Sequence, residues 1–350
     1  MSAHKDFGDY ERIKCIGKGA FGTAVLYKRI PDKTDVVIKE IFLSDMTESE
    51  KQLAFNEANV LASLNHPNII KYLGSFEKDG SLFIEMEYAD NGNLAQLINL
   101  RKERNKCFKE VDLVDIMTQI TSAMAYMHSN KILHRDLKTA NIFLNKNGSL
   151  KIGDFGISKI MTTRIQAQTV VGTPYYLSPE MCEGKDYDEK SDVWAIGCIL
   201  YELACFRKPF EASNLPSLVQ KISMCEYDDI PDVYSQKLSQ LIKDILQKDF
   251  SKRPSATEIH DTMLPEIKSN FANDNDYTQL LKKGVTERSV LYELRSVGDD
   301  MDLYPIELPT KKIVSFSGSD THFIVVTMDK LVYTWGKDSF GQLGHGVIDI

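Results

Sequence analysis

Apolar and polar residues alternate along residues 10–43, which is the pattern of half-buried strands. Three runs rich in β-branched residues, ERIKCIG, TAVLYKRI and DVVIKEIFL, are separated by a glycine-rich turn and a Pro-Asp turn. The period becomes helical over residues 47–64, where Thr47 and Glu50 have the spacing of a capping box. Two further strand-like runs follow, IIKYLGSF and SLFIEMEYA. The chain up to about residue 86 is therefore predicted to form a small, β-rich lobe.

Helical periodicity dominates the chain after Asn91-Gly92. The run DLVDIMTQITSAMAYMHS predicts a long amphipathic helix, and SDVWAIGCILYELACF and LSQLIKDILQK predict further helices from residue 190 onward. Between them, NIFLNKNGSLKIGD predicts a hairpin that turns at Asn147-Gly148. A small β-rich lobe followed by a larger helical lobe indicates an α+β fold with a cleft between the lobes.

The C-terminal part of the chain has a different composition. Residues 269–310 are more polar and predict a linker, in which residues 286–297 (TERSVLYELRSV) have the pattern of a short helix. Residues 311–350 contain short apolar runs separated by glycines, which predicts short strands joined by tight turns.

Composition and charge narrow the functional class. The 350 residues are 43% hydrophobic and 26% charged, which is typical of a globular protein with a sizeable core. The net charge of −8 does not favour nucleic acid as a partner. The N-terminal stretch lacks the apolar region of a signal peptide and no apolar run is long enough to span a bilayer, so we expect no membrane insertion. The six cysteines lack metal-binding spacings, which favours a reducing, cytoplasmic location.

A G-x-G-x-x-G string lies between the first two predicted strands and consists of Gly17, Lys18, Gly19, Ala20, Phe21 and Gly22. Glycine allows a backbone to approach phosphate groups with no Cβ in the way. In a dinucleotide-binding fold this string opens a helix, whereas here the strand TAVLYKRI follows it, which favours a β-hairpin lid over phosphates. On this motif alone, an ordinary glycine-rich turn is the alternative.

A lysine and a glutamate are candidates for a charge pair near those phosphates. Lys39 ends the apolar run VVIK, and Glu57 lies in the middle of the following predicted helix. Lys39 would hold the α- and β-phosphates of a nucleotide while Glu57 fixes its ammonium group, as in phosphoryl-transfer sites. Taken singly, a strand-end surface lysine and an exposed helix acid are the alternatives.

The strongest chemical signal is the string HRDLKTAN at residues 134–141, followed after the hairpin by DFG, which starts at Asp154. Asp136 would accept or orient the proton of a substrate hydroxyl, and Lys138 would neutralise charge on the γ-phosphate of ATP. Asn141 and Asp154 offer the hard oxygen ligands that Mg²⁺ prefers, with Mn²⁺ as an alternative. These residue types in this order predict phosphoryl transfer.

From Gly17 to Arg253 these motifs resemble those of a eukaryotic protein kinase. The strings VGTPYYLSPE, HRDLKTANIFL and MEYADNGNL more narrowly resemble the NIMA-related kinase family. The resemblance implies a two-lobed kinase fold and an ATP-dependent serine/threonine protein kinase, with Thr173 marking Ser/Thr specificity. It also implies that Glu180 pairs with Arg253 and that Asp192 braces the catalytic loop.

The resemblance further implies where adenine binds. Residues 87–90 would form the hinge between the lobes, whose backbone pairs with the base, and Met86 would be the gatekeeper. Phe143 would form the floor of the pocket. Its roof departs from the usual pattern, since Ala24 replaces a common valine and Val37 a common alanine, yet we expect ATP to fit. The implied pocket residues outside the glycine-rich string are Ala24, Val37, Lys39, Met86, Glu87, Ala89 and Phe143.

Regulatory roles are also implied by the resemblance. Thr169 matches an activation-loop phosphothreonine whose phosphate Arg135 and Lys159 would bind, with an unmodified loop threonine as the alternative. Tyr72 matches a tyrosine that, in some relatives, points into the active site and blocks the helix bearing Glu57. A packed core aromatic is the alternative for Tyr72.

Residues 313–346 resemble one repeat of a β-propeller of the regulator of chromosome condensation type. The resemblance rests on the stretch from Ser317 to His322, on YTWG and on GQLGHG. One repeat cannot bury its faces alone, so we expect either a truncated product, which would lack propeller-based control, or a segment that packs on the kinase domain. Such repeats point to one subgroup of the NIMA-related family, in which the propeller serves regulation and partner binding.

The predicted domains are a protein kinase domain over residues 1–268 (small lobe about 1–86, hinge 87–90, large lobe 91–268), a linker over 269–310 and a single incomplete propeller-type repeat over 311–350. Two alternatives are a pseudokinase scaffold, which the complete catalytic set argues against, and an interaction protein that acts through the propeller. Expected partners are proteins bearing the target serine or threonine, and regulatory or scaffold proteins. The family resemblance implies cell-cycle, microtubule, centrosome or cilium processes.

Overall fold

The computed structural model describes residues 7–19, 22–44, 46–154 and 175–271, and strands at 291–297, 300–306, 313–318, 322–327 and 332–336. For these last strands, and for Glu57, the described part is the backbone. Five of the residues singled out from the sequence lie outside the described residues: Ala20, Phe21, Lys159, Thr169 and Thr173. The chain forms two compact units, Met1–Phe271 and Ala272–Ile350.

An antiparallel sheet with the strand order β1-β2-β3-β5-β4 forms the described part of the small lobe. The elements of this lobe are β1 (Tyr10–Gly19), β2 (Gly22–Arg29), β3 (Asp35–Phe42), α1 (Glu48–Ser63), β4 (Tyr72–Lys78) and β5 (Ser81–Glu87). Helix α1 begins with the predicted capping box. The Glu50 carboxylate accepts a hydrogen bond from the Thr47 amide at 2.7 Å, and the Thr47 hydroxyl accepts from the Glu50 amide.

Helices form most of the described part of the large lobe. Its elements are α2 (Leu94–Glu103), α3 (Glu110–Ser129), β6 (Ile142–Leu144), β7 (Leu150–Ile152), α4 (Pro179–Cys182), α5 (Glu189–Cys205), α6 (Leu215–Met224), α7 (Gln236–Ile245), α8 (Ala256–Glu258) and α9 (Leu264–Phe271). Helix α5 is buried on all sides from Ser191 to Ala204, as expected of a central helix that is apolar all round. Its Trp194 ring stacks on Phe210 with the ring centroids 5.4 Å apart.

Main-chain hydrogen bonds hold the β6–β7 hairpin on two sides. On one side, the amide of Ile70, just before β4, donates to the carbonyl oxygen of Ile152 at 2.8 Å. On the other side, the amide of Leu144 donates to the carbonyl oxygen of Gly92, just after β5, also at 2.8 Å. The predicted turn at Asn147-Gly148 is confirmed, and Gly148 has a φ of +84°, which glycine adopts without strain. The hairpin is therefore held by both chain segments that flank β4 and β5.

The second unit contains a hairpin of β8 (Leu291–Val297) and β9 (Asp300–Ile306), and an antiparallel sheet of β10 (Ile313–Gly318), β11 (His322–Thr327) and β12 (Val332–Gly336). The short strands predicted after residue 311 are confirmed over β10–β12. The predicted short helix is wrong for Leu291–Val297, which forms a strand. Leu291 pairs with Ile306 and Leu294 with Leu303, so cross-strand pairs decide the conformation of this run.

A buried ion pair fixes helix α4 within the large lobe. Both terminal nitrogens of Arg253 donate to the two carboxylate oxygens of Glu180 at 2.8 Å, and Ser191 donates to Glu180 at 2.7 Å. The side chains of Arg253 and Glu180 are 0% and 4% exposed, which confirms the predicted pair. Burial by itself would raise the pKa of Glu180, but the hydrogen bonds from Arg253 and Ser191 outweigh it and lower the pKa to about 2.

The substitution Glu180→Gln is expected to lower the free energy of unfolding by about 3–5 kcal/mol at neutral pH, because it leaves the Arg253 guanidinium buried without an anion. Since the folded pKa of Glu180 lies below its ordinary value of 4.5, the wild-type protein keeps this stabilisation above about pH 4.5 and loses it as the pH falls toward 2. Urea unfolding at several pH values between 7 and 3 measures both effects.

Glu183→Gln is the matched control for this measurement, since Glu183 pairs with Lys185 on the surface, where the two side chains are 39% and 58% exposed. This variant should unfold at nearly the wild-type urea concentration. A stability gap between wild type and Glu180→Gln that stays the same at every pH would contradict the lowered pKa.

Candidate active site

The strand register brings predicted nucleotide-binding residues onto one face of the small-lobe sheet. Ala24 pairs with Gly17 on one side and with Lys39 on the other. Val37, two residues before Lys39, pairs with Met86. Paired residues, and residues two apart on a strand, point to the same face of a sheet. The register therefore places these five positions where they could form one wall of a pocket.

The glycines at the two ends of the predicted phosphate loop are under different constraints. A Cβ atom at Gly22 would lie 1.8 Å from the carbonyl oxygen of Glu40, so packing within the protein requires glycine there. A Cβ atom at Gly17 would be in ordinary contact with Ala24, at 3.7 Å. Packing therefore does not require glycine at position 17, and its bare backbone is open to the close approach of a ligand. Lys18, beside it, is exposed.

The residues of the HRDLKTAN string converge on the carboxylate of Asp136. Lys138 Nζ donates to Asp136 Oδ2 at 2.7 Å, and Asn141 Nδ2 donates to the same oxygen at 3.1 Å. Asn141 Nδ2 also donates to the main-chain oxygens of Asp136, at 2.9 Å, and of Asp154, at 3.4 Å. The amide nitrogen of Asn141 is thus turned toward Asp136, which leaves the side-chain oxygen as the atom that can bind a cation.

Asp154 lies at the junction of the lobes. Its Oδ1 atom lies 4.0 Å from Lys39 Nζ of the small lobe, and the Gly153 amide donates to the carbonyl oxygen of Asn141 at 3.0 Å. Asp154 has a φ of +53° and Arg135 a φ of +67°. Residues other than glycine keep such conformations only where their surroundings enforce them, and these conformations cluster at functional sites.

The donor set between the lobes fits a hard divalent cation. The carboxylate of Asp154 and the amide oxygen of Asn141 are the kinds of ligand that Mg²⁺ and Mn²⁺ accept. The side chain of Asp154 is 55% exposed, so a hydrated cation can reach it. The predicted pair of Lys39 with Glu57 stays a prediction, because the described part of Glu57 is its backbone within α1.

A buried carboxylate holds the backbone of the catalytic loop, as the resemblance implied for Asp192. Its Oδ2 accepts from the His134 amide at 2.9 Å and from His128 Nε2 at 3.0 Å. Its Oδ1 accepts from the Arg135 amide at 3.0 Å and from the Tyr187 hydroxyl. Burial by itself would raise the pKa of Asp192, but the hydrogen bond from His128 and the nearby imidazoles lower it overall, so the carboxylate stays charged.

Sequence reasoning missed a second cluster beside the catalytic loop. The Thr139 hydroxyl lies 3.1 Å from the Tyr176 hydroxyl, which donates to Glu202 at 2.5 Å, and Lys208 contacts both Tyr176 and Glu202. Burial raises the pKa of Tyr176, so its hydroxyl stays protonated. The contacts of Tyr176 with Thr139, Glu202 and Lys208 join residues 26 to 37 positions apart, which no short motif reveals. The cluster ties the chain that follows Pro174 to the catalytic loop.

Two further predicted residues have defined surroundings. Phe143, the predicted floor of the adenine pocket, packs so closely on Gly153 that a Cβ atom there would lie 3.0 Å from its ring. Tyr72 packs against the main core, and its hydroxyl lies 2.7 Å from Ser75 Oγ. These contacts are those of a packed aromatic residue, and the inhibitory role of Tyr72 stays a prediction.

Comparison with known proteins agrees with this geometry. Residues 10–264 match the family model described as protein kinase domain. This match covers more than half of the chain and agrees with the two-lobed fold and the contacts around Asp136. The chain therefore belongs to the protein kinase family, the class of enzymes that phosphorylate proteins.

Within that family, the chain belongs to the Nek serine/threonine kinases. It is 50% identical over 251 residues to serine/threonine-protein kinase Nek8 of Danio rerio, covering 71% of this chain and 36% of that protein. It is 42% identical over 280 residues to probable serine/threonine-protein kinase nek2 of Dictyostelium discoideum, covering 78% and 67%. It is 37% identical over 367 residues to serine/threonine-protein kinase Nek9 of Mus musculus, covering 96% and 36%. The chain thus spans little more than a third of the length of Nek8 and Nek9.

Within the residues that the structure describes, no helix is both long and apolar enough to cross a membrane.

The substitution Asp192→Asn is expected to lower both stability and turnover. An amide offers one acceptor oxygen where the carboxylate serves two backbone amides, so we expect a loss of roughly 2–4 kcal/mol in unfolding free energy. Because the loop that carries Asp136 then shifts, turnover should fall at least about tenfold. Thermal unfolding and steady-state phosphoryl-transfer kinetics measure the two effects.

Tyr187→Phe is the matched control, because it removes one donor to Asp192 and keeps the carboxylate and both backbone hydrogen bonds. It should be much milder in both measurements. Wild-type turnover in Asp192→Asn would show that this carboxylate does not position the catalytic loop.

Proposed function

We propose that the chain transfers the γ-phosphoryl group of ATP to serine or threonine hydroxyl groups of other proteins. One observation carries this proposal. Lys138 and Asn141 both donate to the Asp136 carboxylate, and the same Asn141 amide reaches the backbone of Asp154, whose side chain faces Lys39 of the other lobe at 4.0 Å. These contacts support the proposal, because phosphoryl transfer requires a base, ligands for a cation and positively charged side chains close together.

Asp136 would orient the substrate hydroxyl and accept its proton. The hydroxyl oxygen then bonds to the γ-phosphorus of ATP as the bond from that phosphorus to the β–γ bridging oxygen breaks, and ADP leaves. Lys138, held 2.7 Å from Asp136, would stabilise negative charge that develops on the γ-phosphate. Lys39 would hold the α- and β-phosphates, with Glu57 fixing its position. Asn141 and Asp154 would hold Mg²⁺, or Mn²⁺ as the alternative, and the bound cation supplies charge neutralisation between the β- and γ-phosphates.

The adenine base would lie between the sheet and the hairpin. The common face of Ala24, Val37 and Met86 supports the proposed roof, and Phe143 on β6 supports the proposed floor. Backbone groups of residues 87–90 would pair with the base, including those of Glu87 and Ala89. Residues 17–22 would cover the phosphates, which agrees with the unconstrained glycine at position 17.

We further propose that the protein belongs to the Nek subgroup with C-terminal repeats of the regulator of chromosome condensation type. The match to the mouse Nek9 protein over 96% of the chain supports this, as do the short strands β10–β12. In this proposal residues 1–268 form the kinase domain, 269–310 connect it to the repeat region, and 311–350 belong to a propeller repeat. The cellular role would be in cell-cycle, microtubule, centrosome or cilium processes, with regulatory or scaffold proteins as partners.

The substitution Asp136→Asn tests the proposed chemistry. With radiolabelled ATP, Mg²⁺ and a generic basic protein substrate, the wild type should transfer phosphate at roughly 1–100 per second once activated, and the variant should show no transfer above background. Retained binding of ADP by the variant, measured by calorimetry, would confirm that the loss is chemical. Transfer at the wild-type rate by Asp136→Asn would overturn the assignment of Asp136, and inactivity of the wild type would favour a scaffold function.

Phosphorylation of Thr169 is expected to activate the enzyme, with Arg135 and Lys159 binding the phosphate, which carries a charge of about −1.5 to −2 at neutral pH. Thr169→Ala should therefore lower turnover by about tenfold or more relative to the phosphorylated wild type. Thr163→Ala, in the same segment, is the control and should leave turnover unchanged. Full activity of purified Thr169→Ala would rule out the switch.

A further inference from the structure

The carboxylate of Glu87, the first residue of the proposed hinge, has partners in both lobes. Its Oε1 accepts from the backbone amide of Lys71 at 2.6 Å and from Lys151 Nζ at 2.7 Å. Lys71 immediately precedes β4 of the small lobe, whereas Lys151 is the central residue of β7 in the large lobe. The side chains of Lys151 and Glu87 are only 15% and 27% exposed, so solvent and salt weaken this pair less than they weaken a surface pair.

The backbone on both sides of Lys151 is also fixed. Asn68 Nδ2 donates to the carbonyl oxygen of Leu150 at 3.0 Å, and the Ile152 amide donates to the carbonyl oxygen of Asn68 at 2.8 Å. The Glu87 amide donates to the carbonyl oxygen of Lys71 at 2.9 Å. The ion pair therefore joins two anchored stretches of backbone, and it sets how far the start of the hinge lies from the hairpin.

That separation matters for a nucleotide. Phe143, the proposed floor of the adenine pocket, is paired with Lys151 across the hairpin, and Asp154 lies two residues after the end of β7. The hinge backbone would hydrogen bond to the edge of the adenine ring, and the floor would pack against the face of the same ring. A contact between Glu87 and Lys151 therefore fixes the two surfaces relative to each other before the base arrives.

We propose that Lys151 is a positioning residue for ATP, acting through the Glu87 carboxylate on the hinge. This inference rests on the proposed kinase function and names a residue that the nucleotide itself need not touch. Without the Lys151 ammonium group, the largely buried Glu87 carboxylate keeps only one hydrogen-bond donor, the backbone amide of Lys71. It is then more stable when it turns toward water, and this movement shifts the hinge away from the floor of the pocket. A smaller fraction of the molecules then has the arrangement that binds adenine, and the apparent affinity for the nucleotide falls in proportion to that fraction.

The experiment compares Lys151→Met with Lys151→Arg, which restores the positive charge, and with Lys146→Met as a matched control. Lys146 lies in the turn of the same hairpin and pairs with Asp90 near the other end of the hinge, but at 3.5 Å and with 73% of its side chain exposed. Each full-length protein is assayed for KM for ATP, KM for a peptide substrate and kcat, and binding of Mg²⁺-ADP is measured by calorimetry.

For Lys151→Met we expect KM for ATP and Kd for ADP to rise about three- to tenfold, the effect of losing one shielded ion pair. The kcat and the peptide KM should stay within about twofold of wild type, because the catalytic cluster is untouched. Lys151→Arg should recover most of the nucleotide affinity, and Lys146→Met should match wild type.

Unchanged nucleotide affinity in Lys151→Met would overturn the inference, whether or not its melting temperature falls. A rise in kcat with unchanged KM for ATP would also overturn it, since the pair would then restrain lobe movement and not position the nucleotide. If the wild type transferred no phosphate, the proposed function would fail, while ADP binding by the same proteins would still decide whether Lys151 positions a nucleotide.

Discussion

The main-chain pairing of the β6–β7 hairpin with the segments on either side of β4 and β5 is the constraint on which the site depends. The Ile70 amide donates a hydrogen bond to the carbonyl oxygen of Ile152 on one edge, and the Leu144 amide donates to that of Gly92 on the other, each at 2.8 Å. Asn141 lies just before this hairpin and Asp154 just after it, so both proposed cation ligands inherit its position. Backbone hydrogen bonds of this kind do not depend on side-chain identity. The position of the hairpin is therefore maintained whatever functional side chains it bears.

A second constraint lies within the large lobe, where the buried, charged carboxylate of Asp192 accepts hydrogen bonds from the catalytic loop. A buried carboxylate is costly unless each oxygen is hydrogen bonded, and here two backbone amides, an imidazole and a phenol meet that requirement. Two of these contacts, from the backbone amides of His134 and Arg135, hold the catalytic loop in its turn at Arg135, where φ is +67°. Loop conformation and carboxylate charge therefore stabilise each other.

The sequence predicted features that depend on neighbouring residues and missed those that depend on distant ones. The helix start at Thr47, the turn at Gly148 and the strands of the small lobe follow from local periodicity and turn chemistry, and the structure contains them. The catalytic string was visible because one loop carries its members at fixed spacing. The contacts of Tyr176 with Glu202 and Lys208, and the strand at Leu291–Val297, arise from partners that short-range patterns cannot identify.

The burial of the Asp192 contacts also bears on how the enzyme would respond to ionic strength. Asp192 is 0% exposed and its contacts are about 3 Å long, far shorter than the roughly 8–10 Å over which physiological salt screens charges in solution. Dissolved ions cannot enter between such partners. Salt at physiological concentration should thus leave the geometry of the catalytic loop intact, and a salt-dependent rate would report on how protein substrates and nucleotide reach the cleft.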